Sequence, residues 1–198
     1  MITLCIDTSY KHLTCALIKD DEILSSVSME CFKKQSEEVF VCLKTVFTKA
    51  MISKKDIDSI CVSVGPGSYT GTRIGITIAK TIGEMMPVDV YTISTLRLYA
   101  SNNSRTMVIL NARADRAYVG IYDGPYAIIK DCVMPVNEIN PMKYEIVGDA
   151  SLLGKEDNFP DVPTAFLNTK HSWEKIKNIA YLVPNYLKES ESYLKWLN

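Results

Sequence analysis

The sequence predicts an α/β chain of two halves built on one plan. Three observations carry that expectation. Each half opens on short apolar runs separated by turn residues, TLCIDTSYKHLTCALIKDDEILSSVSM in the first and TMVILNARADRAYVGIYDGPYAIIKDCVMP in the second. Helical periodicity replaces the strand pattern from about residue 36 to 51, and again after a glycine-rich stretch. The segments IDTS and LNAR end the first strand of each unit, so the chain carries a weak internal duplication of βββα type with sheets of mixed direction. The division falls near residue 100, giving halves at 1–100 and 101–198.

The elements follow in order. ITLCID is a short apolar strand, LTCALI follows a tight turn, and Asp20-Asp21 turns the chain into EILSSVSME. A helix runs from about Ser36 to Met51, and IDSICVSV returns to a strand rich in β-branched residues. A loop and a long helix come next, with Thr70 as the expected N-cap. VDVYTI is the fifth strand, and STLRLYASNN opens a helix on a capping serine, Ser94. The second half repeats three strands, then a short helix at VNEINPM and a strand and turn at YEIVGDA. NFPDVPTAF is expected to be irregular. Helices are expected from about Ser172 onward, broken at Pro184 and able to pack back on the first half.

Composition narrows the function classes. The 198 residues are 47% hydrophobic and 23% charged, with a formal net charge of −1. That is ordinary for a globular chain and lacks the clustered basic excess of a protein that grips nucleic acid alone. No apolar run reaches the ~18 residues of a membrane span, and no charged segment precedes the first apolar run as in a secretion signal. The six cysteines form no CxxC, and the two histidines, His12 and His171, form no ligand motif. Buried thiols, a cytoplasmic location and no metal in this chain are the expectations.

The stretch VGPGSYTGTRIGITIAKTIG invites a phosphate-binding reading. It fails both standard patterns. Gly65 to Gly71 has the wrong spacing for a Walker loop, Arg73 does not replace its lysine, and Gly65-x-Gly67-x-x-x-Gly71 is not GxGxxG. Free N–H groups at a helix start can still hold an anion, or simply make a tight turn. The candidate nucleotide-binding residues are therefore Asp7, Thr8 and Ser9 in the first turn, with Gly65, Gly67 and Ser68.

The two long helices carry more apolar surface than one core face requires. Gly71, Gly75, Ala79 and Gly83 recur every four residues and are expected to let another helix approach closely. With Ile74, Ile76, Ile78 and Ile82, the apolar and small positions cover roughly 200° of the helix, against ~100° for a core face. In the earlier helix Val39 to Met51 spans about 180°, with Val41 outside that arc. The excess can be used up within the chain or can face a partner. The candidate partner-binding residues are Val39, Phe40, Leu43, Phe47, Gly71, Ile74, Gly75, Ile78, Ala79 and Ile82.

Five segments occur in a telling order: LCIDTS, VSVGPGSYTGTRIGITIAKTIG, STLRLYA, NARADRAYVGIY and PNYL. Together they resemble the TsaB (YeaZ) family, accessory subunits of bacterial tRNA threonylcarbamoyladenosine synthesis. The resemblance implies an actin-like, Hsp70-like ATPase superfold of two ribonuclease H-like halves. It implies a catalytic paralogue, TsaD, that carries the metal-binding histidine motif and uses ATP and magnesium. It also implies a further partner, TsaE, and a helical bundle formed with TsaD or between two copies of the chain. Two positions depart from the family: Gln35-Ser36-Glu37 opens the first helix in place of a His-Ser-Glu-like start, and Asn111 stands where relatives have Asp.

Three functions follow. A non-catalytic scaffold of a tRNA-modifying complex fits the motifs and the missing catalytic groups. A stand-alone small-molecule kinase or ATPase of the same superfold would use Asp7 as its magnesium-side carboxylate, but the facing turn offers Asn111. A peptidase would need Ser68 to work with a histidine, and no spacing supports it.

Overall fold

Strand β1 (Ile2–Asp7) is buried along nearly its whole length because strands flank it on both sides. It pairs antiparallel with β2 (His12–Lys19) and parallel with β4 (Ser59–Ser63) in the computed structural model, which describes residues 1–31, 34–141 and 143–187. β3 (Glu22–Glu30) extends the meander beyond β2, and β5 (Asp89–Ile93) lies parallel to β4. A two-residue strand from far along the chain, β10 (Glu174–Lys175), closes the sheet against β5. The order is β10-β5-β4-β1-β2-β3.

The second sheet repeats the plan. β6 (Thr106–Arg113) and β7 (Arg116–Asp123) pair antiparallel, β8 (Tyr126–Pro135) continues the meander, and β9 (Glu145–Gly148) lies parallel to β6. Its order, β8-β7-β6-β9, matches β3-β2-β1-β4 strand for strand. The duplication legible in IDTS and LNAR is thus a duplication of topology.

Helices α1 (Gln35–Ala50) and α2 (Tyr69–Met85) cover one face of the first sheet. Between its other face and the second sheet lie α3 (Thr95–Ala100) and α4 (Val162–Asn168), where Leu96, Tyr99 and Phe166 are buried with Cys5, Ile18, Val108 and Leu110. Ser94 caps α3 as expected, accepting from the N–H groups of Leu96 and Arg97. The cap of α2 is Ser68 rather than Thr70, because the serine hydroxyl accepts from Gly71 N–H.

Two expectations need correction. The stretch around NFPDVPTAF holds α4, started by Asp161, whose carboxylate accepts from Thr164 N–H, with a proline in the first turn. Residues 172–187 contain no α-helix. They run through β10 and a 3-10 turn at Ile179–Tyr181 as an extended strap, placing Ile176, Ile179 and Leu182 in the first core. The expected helix beyond residue 187 lies outside the described residues. No helix among the described residues is long and apolar enough to cross a membrane.

Candidate functional site

Asp7, Thr8 and Ser9 end β1, and all three are buried. Asp7 Oδ1 accepts from Ser9 N–H at 2.9 Å and from the hydroxyls of Ser9 and Ser63, while Oδ2 accepts from Tyr99 at 3.1 Å. Thr8 Oγ1 donates to the Gly71 carbonyl at 2.7 Å and accepts from Gly75 N–H at 3.0 Å. The Thr95 hydroxyl donates to Ser9 Oγ at 2.9 Å. Burial, with the Asp7 charge beside it, pushes the Tyr99 phenol well above its ordinary value, so it stays protonated and donates.

The glycine loop closes on this cluster. Gly65 has φ +94°, and Gly65-Pro66 is cis. Ser68 N–H donates to the Ser9 carbonyl at 2.7 Å, and a Cβ on Gly67 would lie 2.2 Å from that same oxygen. The six residues expected to bind a nucleotide do meet, but as a closed hydrogen-bonded knot. The carboxylate and both hydroxyls of Asp7, Thr8 and Ser9 are engaged by protein groups. The N–H groups of Ser68 and Gly71 are taken by Ser9 and by the capping hydroxyl. Polar atoms spent in this way do not make a phosphate cradle.

The helices distribute their apolar surface differently from the sequence expectation. Gly71 and Gly75 rest on the end of β1: a Cβ at Gly71 would lie 2.2 Å from the Thr8 carbonyl, and one at Gly75 2.8 Å from Thr8 Oγ1. Val39, Ile78 and Ala79 are buried in the first core, and Leu43, Phe47, Ile74 and Ile82 are half-buried against it. The small-residue stripe is therefore a notch for the chain's own sheet. Gly71, Gly75, Ala79, Val39 and Ile78 are thus buried within the chain rather than on its outer surface. Phe40 faces out at 66% exposure, and Val41, the apolar residue that fell outside the helical arc, is 58% exposed. With Lys44, Thr45, Thr48 and Lys49 they line a shallow groove along α1. Tyr69 and Met85 are exposed at the two ends of α2.

Sequence reading missed the seam between the halves. Asp149, just after β9, is buried and accepts from the Tyr10 hydroxyl, from Lys11 Nζ and, at 2.7 Å, from Asn111 N–H. Lys11 also reaches Asp157 at 3.4 Å. Burial lowers the Lys11 pKa, but the hydrogen bonds and charges of Asp149 and Asp157 outweigh it and leave it raised. Counted from the first pair of each ladder, Asp149 corresponds to Ser63 at the end of β4, so the duplication gave no acidic counterpart to point to it. Asn111, the departure from the family pattern, contributes its backbone N–H here, and its side chain caps Arg113 N–H at 2.7 Å.

Arg97 was also missed. It is buried, donates to the Gly124 carbonyl at 2.7 Å and to Ser172 Oγ at 3.0 Å, and lies 5.2 Å above the Tyr122 ring. It thereby joins α3, the β7–β8 turn and the start of the strap.

A family model described as TsaD, tRNA N6-adenosine threonylcarbamoyltransferase, matches residues 29–149. The tRNA threonylcarbamoyladenosine biosynthesis protein TsaB of Bacillus subtilis is 25% identical, over 100% of this chain and 98% of its own. The protein of the same name from Buchnera aphidicola of Schizaphis graminum is 32% identical over 61% of this chain and 60% of its own. Among solved structures, YeaZ from Pseudomonas aeruginosa superimposes with a TM-score of 0.82 at 18% identity, over 94% of this chain and 99% of that one. That likeness establishes the shared fold. On the family match and these relatives, the chain belongs to the TsaD-type threonylcarbamoyltransferase family, in its TsaB (YeaZ) branch.

Proposed function

We propose that this chain is a non-catalytic subunit in tRNA threonylcarbamoyladenosine synthesis that acts by binding the catalytic subunit TsaD. The role in that synthesis rests on relatives named for it. The binding reading rests on one observation: Phe40 and Val41 stand exposed on α1 and Met51 at its C-cap, beside a helix whose small residues are already used against the sheet. Apolar side chains grouped in this way mark an interface. The closed knot around Asp7 supports a chain that needs no nucleotide of its own, with ATP and magnesium serving the catalytic partner.

In this reading the chain works in the cytoplasm, pairs with itself when TsaD is absent, meets TsaE in the assembled complex, and meets tRNA only there. The test is co-purification with the host's TsaD, followed by tRNA modification with and without this chain. Phe40→Asp should leave the melting temperature of the isolated chain within a few degrees of wild type. It should also lower TsaD association and modification at least tenfold. Full modification by TsaD in the absence of this chain, or steady ATP hydrolysis by this chain alone, defeats the proposal.

A further inference from the structure

Ile176, Ile179 and Leu182 enter the same core as α1 and α2. The strap therefore lies in the helical layer, on the flank of α2. Ile179 fills the notch of Gly83, where a Cβ would stand 2.4 Å from its Cδ1, and Lys80 Nζ reaches the Ala180 carbonyl at 3.4 Å. Further on, Asn185 N–H donates to the Val64 carbonyl at 2.7 Å, and the Tyr186 ring stacks on Tyr69 at 5.3 Å. The strap thus follows α2 from its last turn back to its first. While Ile179 and Leu182 point in, Tyr181 and Val183 point out, 77% and 61% exposed.

We propose that the strap is the third element of the partner-binding surface, with Tyr181 and Val183 covered by the catalytic subunit. The inference rests on the partner reading above and extends it to the end of the described chain. Area is the first argument. Helices of 16 and 17 residues are about 25 Å long, and two side by side present a strip about 20 Å wide, or roughly 500 Å². A stable interface covers about 800 Å² per partner. A partner seated on both helices reaches that size by extending over a neighbour, and the strap flanks α2. Composition is the second argument, because exposed Tyr69, Tyr181 and Tyr186 beside Arg73 are the residue types that interfaces concentrate. The occupant is that of the partner reading, because the strap continues the surface of α2. The strap lies against α2 from its last turn to its first, so a catalytic subunit seated on the helices meets Tyr181 and Val183 next.

The test uses the whole chain with Tyr181→Ser and Val183→Ser together, beside Phe40→Asp, and titrates TsaD by calorimetry. The strap variant should melt as wild type, since both side chains are outside the core, and should bind at least tenfold more weakly. A photo-crosslinking residue at 181 in otherwise wild-type chain should capture TsaD. Unchanged affinity in the strap variant with binding lost in Phe40→Asp overturns the strap inference alone. Unchanged affinity in both overturns the helical surface as well. Crosslinking at 181 only to a second copy of this chain shows that the strap serves self-association, and overturns the proposed occupant.

Discussion

Asp7 is a buried carboxylate whose four donors are all neutral: one backbone N–H, two serine hydroxyls and a phenol. Such a group holds its surroundings together by being shared. Removing it leaves several buried donors unsatisfied at once, each costing about 1–3 kcal/mol. Asp7→Ala should therefore destabilise the chain by about 3 kcal/mol or more, read by urea denaturation. Asp131 is a second such residue, bound by the hydroxyls of Ser94 and Tyr122. Burial raises its pKa, although those hydrogen bonds oppose the shift. Over the window from about 3.9, its unfolded value, up to the raised value, the folded chain holds a proton that the unfolded chain has released. The contribution of Asp131 to stability therefore falls as pH rises through that window. Asp131→Asn should gain stability relative to wild type between pH 4 and pH 7, and parallel pH profiles of the two proteins would contradict this. Neither pair of partners was legible beforehand. Ser63 and Tyr99 lie 56 and 92 residues from Asp7, and a single sequence read alone gives no sign of such distant pairing.

At the scale of elements, periodicity was the reliable guide. It located α1 within a residue of its start and end, and it flagged α2 as carrying too much small and apolar surface. It could not say which neighbour filled the notch. Geometry assigns Gly75 to Thr8 and Val62, with a Cβ 2.8 and 3.2 Å from them. Gly75→Leu should then lower the stability of the isolated chain by about 3 kcal/mol, overpacking outweighing a gain in helix propensity of under ~1 kcal/mol. A variant that melts normally and only loses its partner would place the stripe at the interface after all. The short α4 escaped notice because two prolines in NFPDVPTAF read as breakers. Asp161 as cap, a proline in the first turn, and Val162, Ala165 and Phe166 at helical spacing were the available signals. The strap was expected to be helix, and Ile176, Ile179 and Leu182 do have near-helical spacing. Three inward side chains on an extended, turned segment mimic that period.

Across the whole molecule, the repeated strand order explains why the fold was legible from a few motifs. IDTS and LNAR mark equivalent corners of two sheets, and those corners meet at the seam where Asp149 receives Tyr10, Lys11 and Asn111. The candidate site was legible only in part. Its helices were identified and Phe40 was among the candidates, but Val41, exposed beside it, had fallen outside the apolar arc. The surface also includes a segment more than 90 residues further along the chain, which local periodicity cannot bring into view.

That distant segment sets a schedule for synthesis. The edge partner of β5 and the side chain that fills Gly83 are encoded after the whole second sheet. At about 5–20 residues per second, a ribosome that has finished β5 needs on the order of 4–16 s more to make the strap. Throughout that interval β5 is a bare edge and the core lacks the side chain that fills the Gly83 notch. A fragment of residues 1–100 should accordingly melt without cooperativity and bind a hydrophobic dye, whereas the full chain gives one sharp transition. Cooperative melting of the fragment would show that the first half closes unaided. Otherwise the nascent chain is most exposed to aggregation and proteases while its second half is being made, and a nonsense mutation before codon 174 discards the first half along with the second.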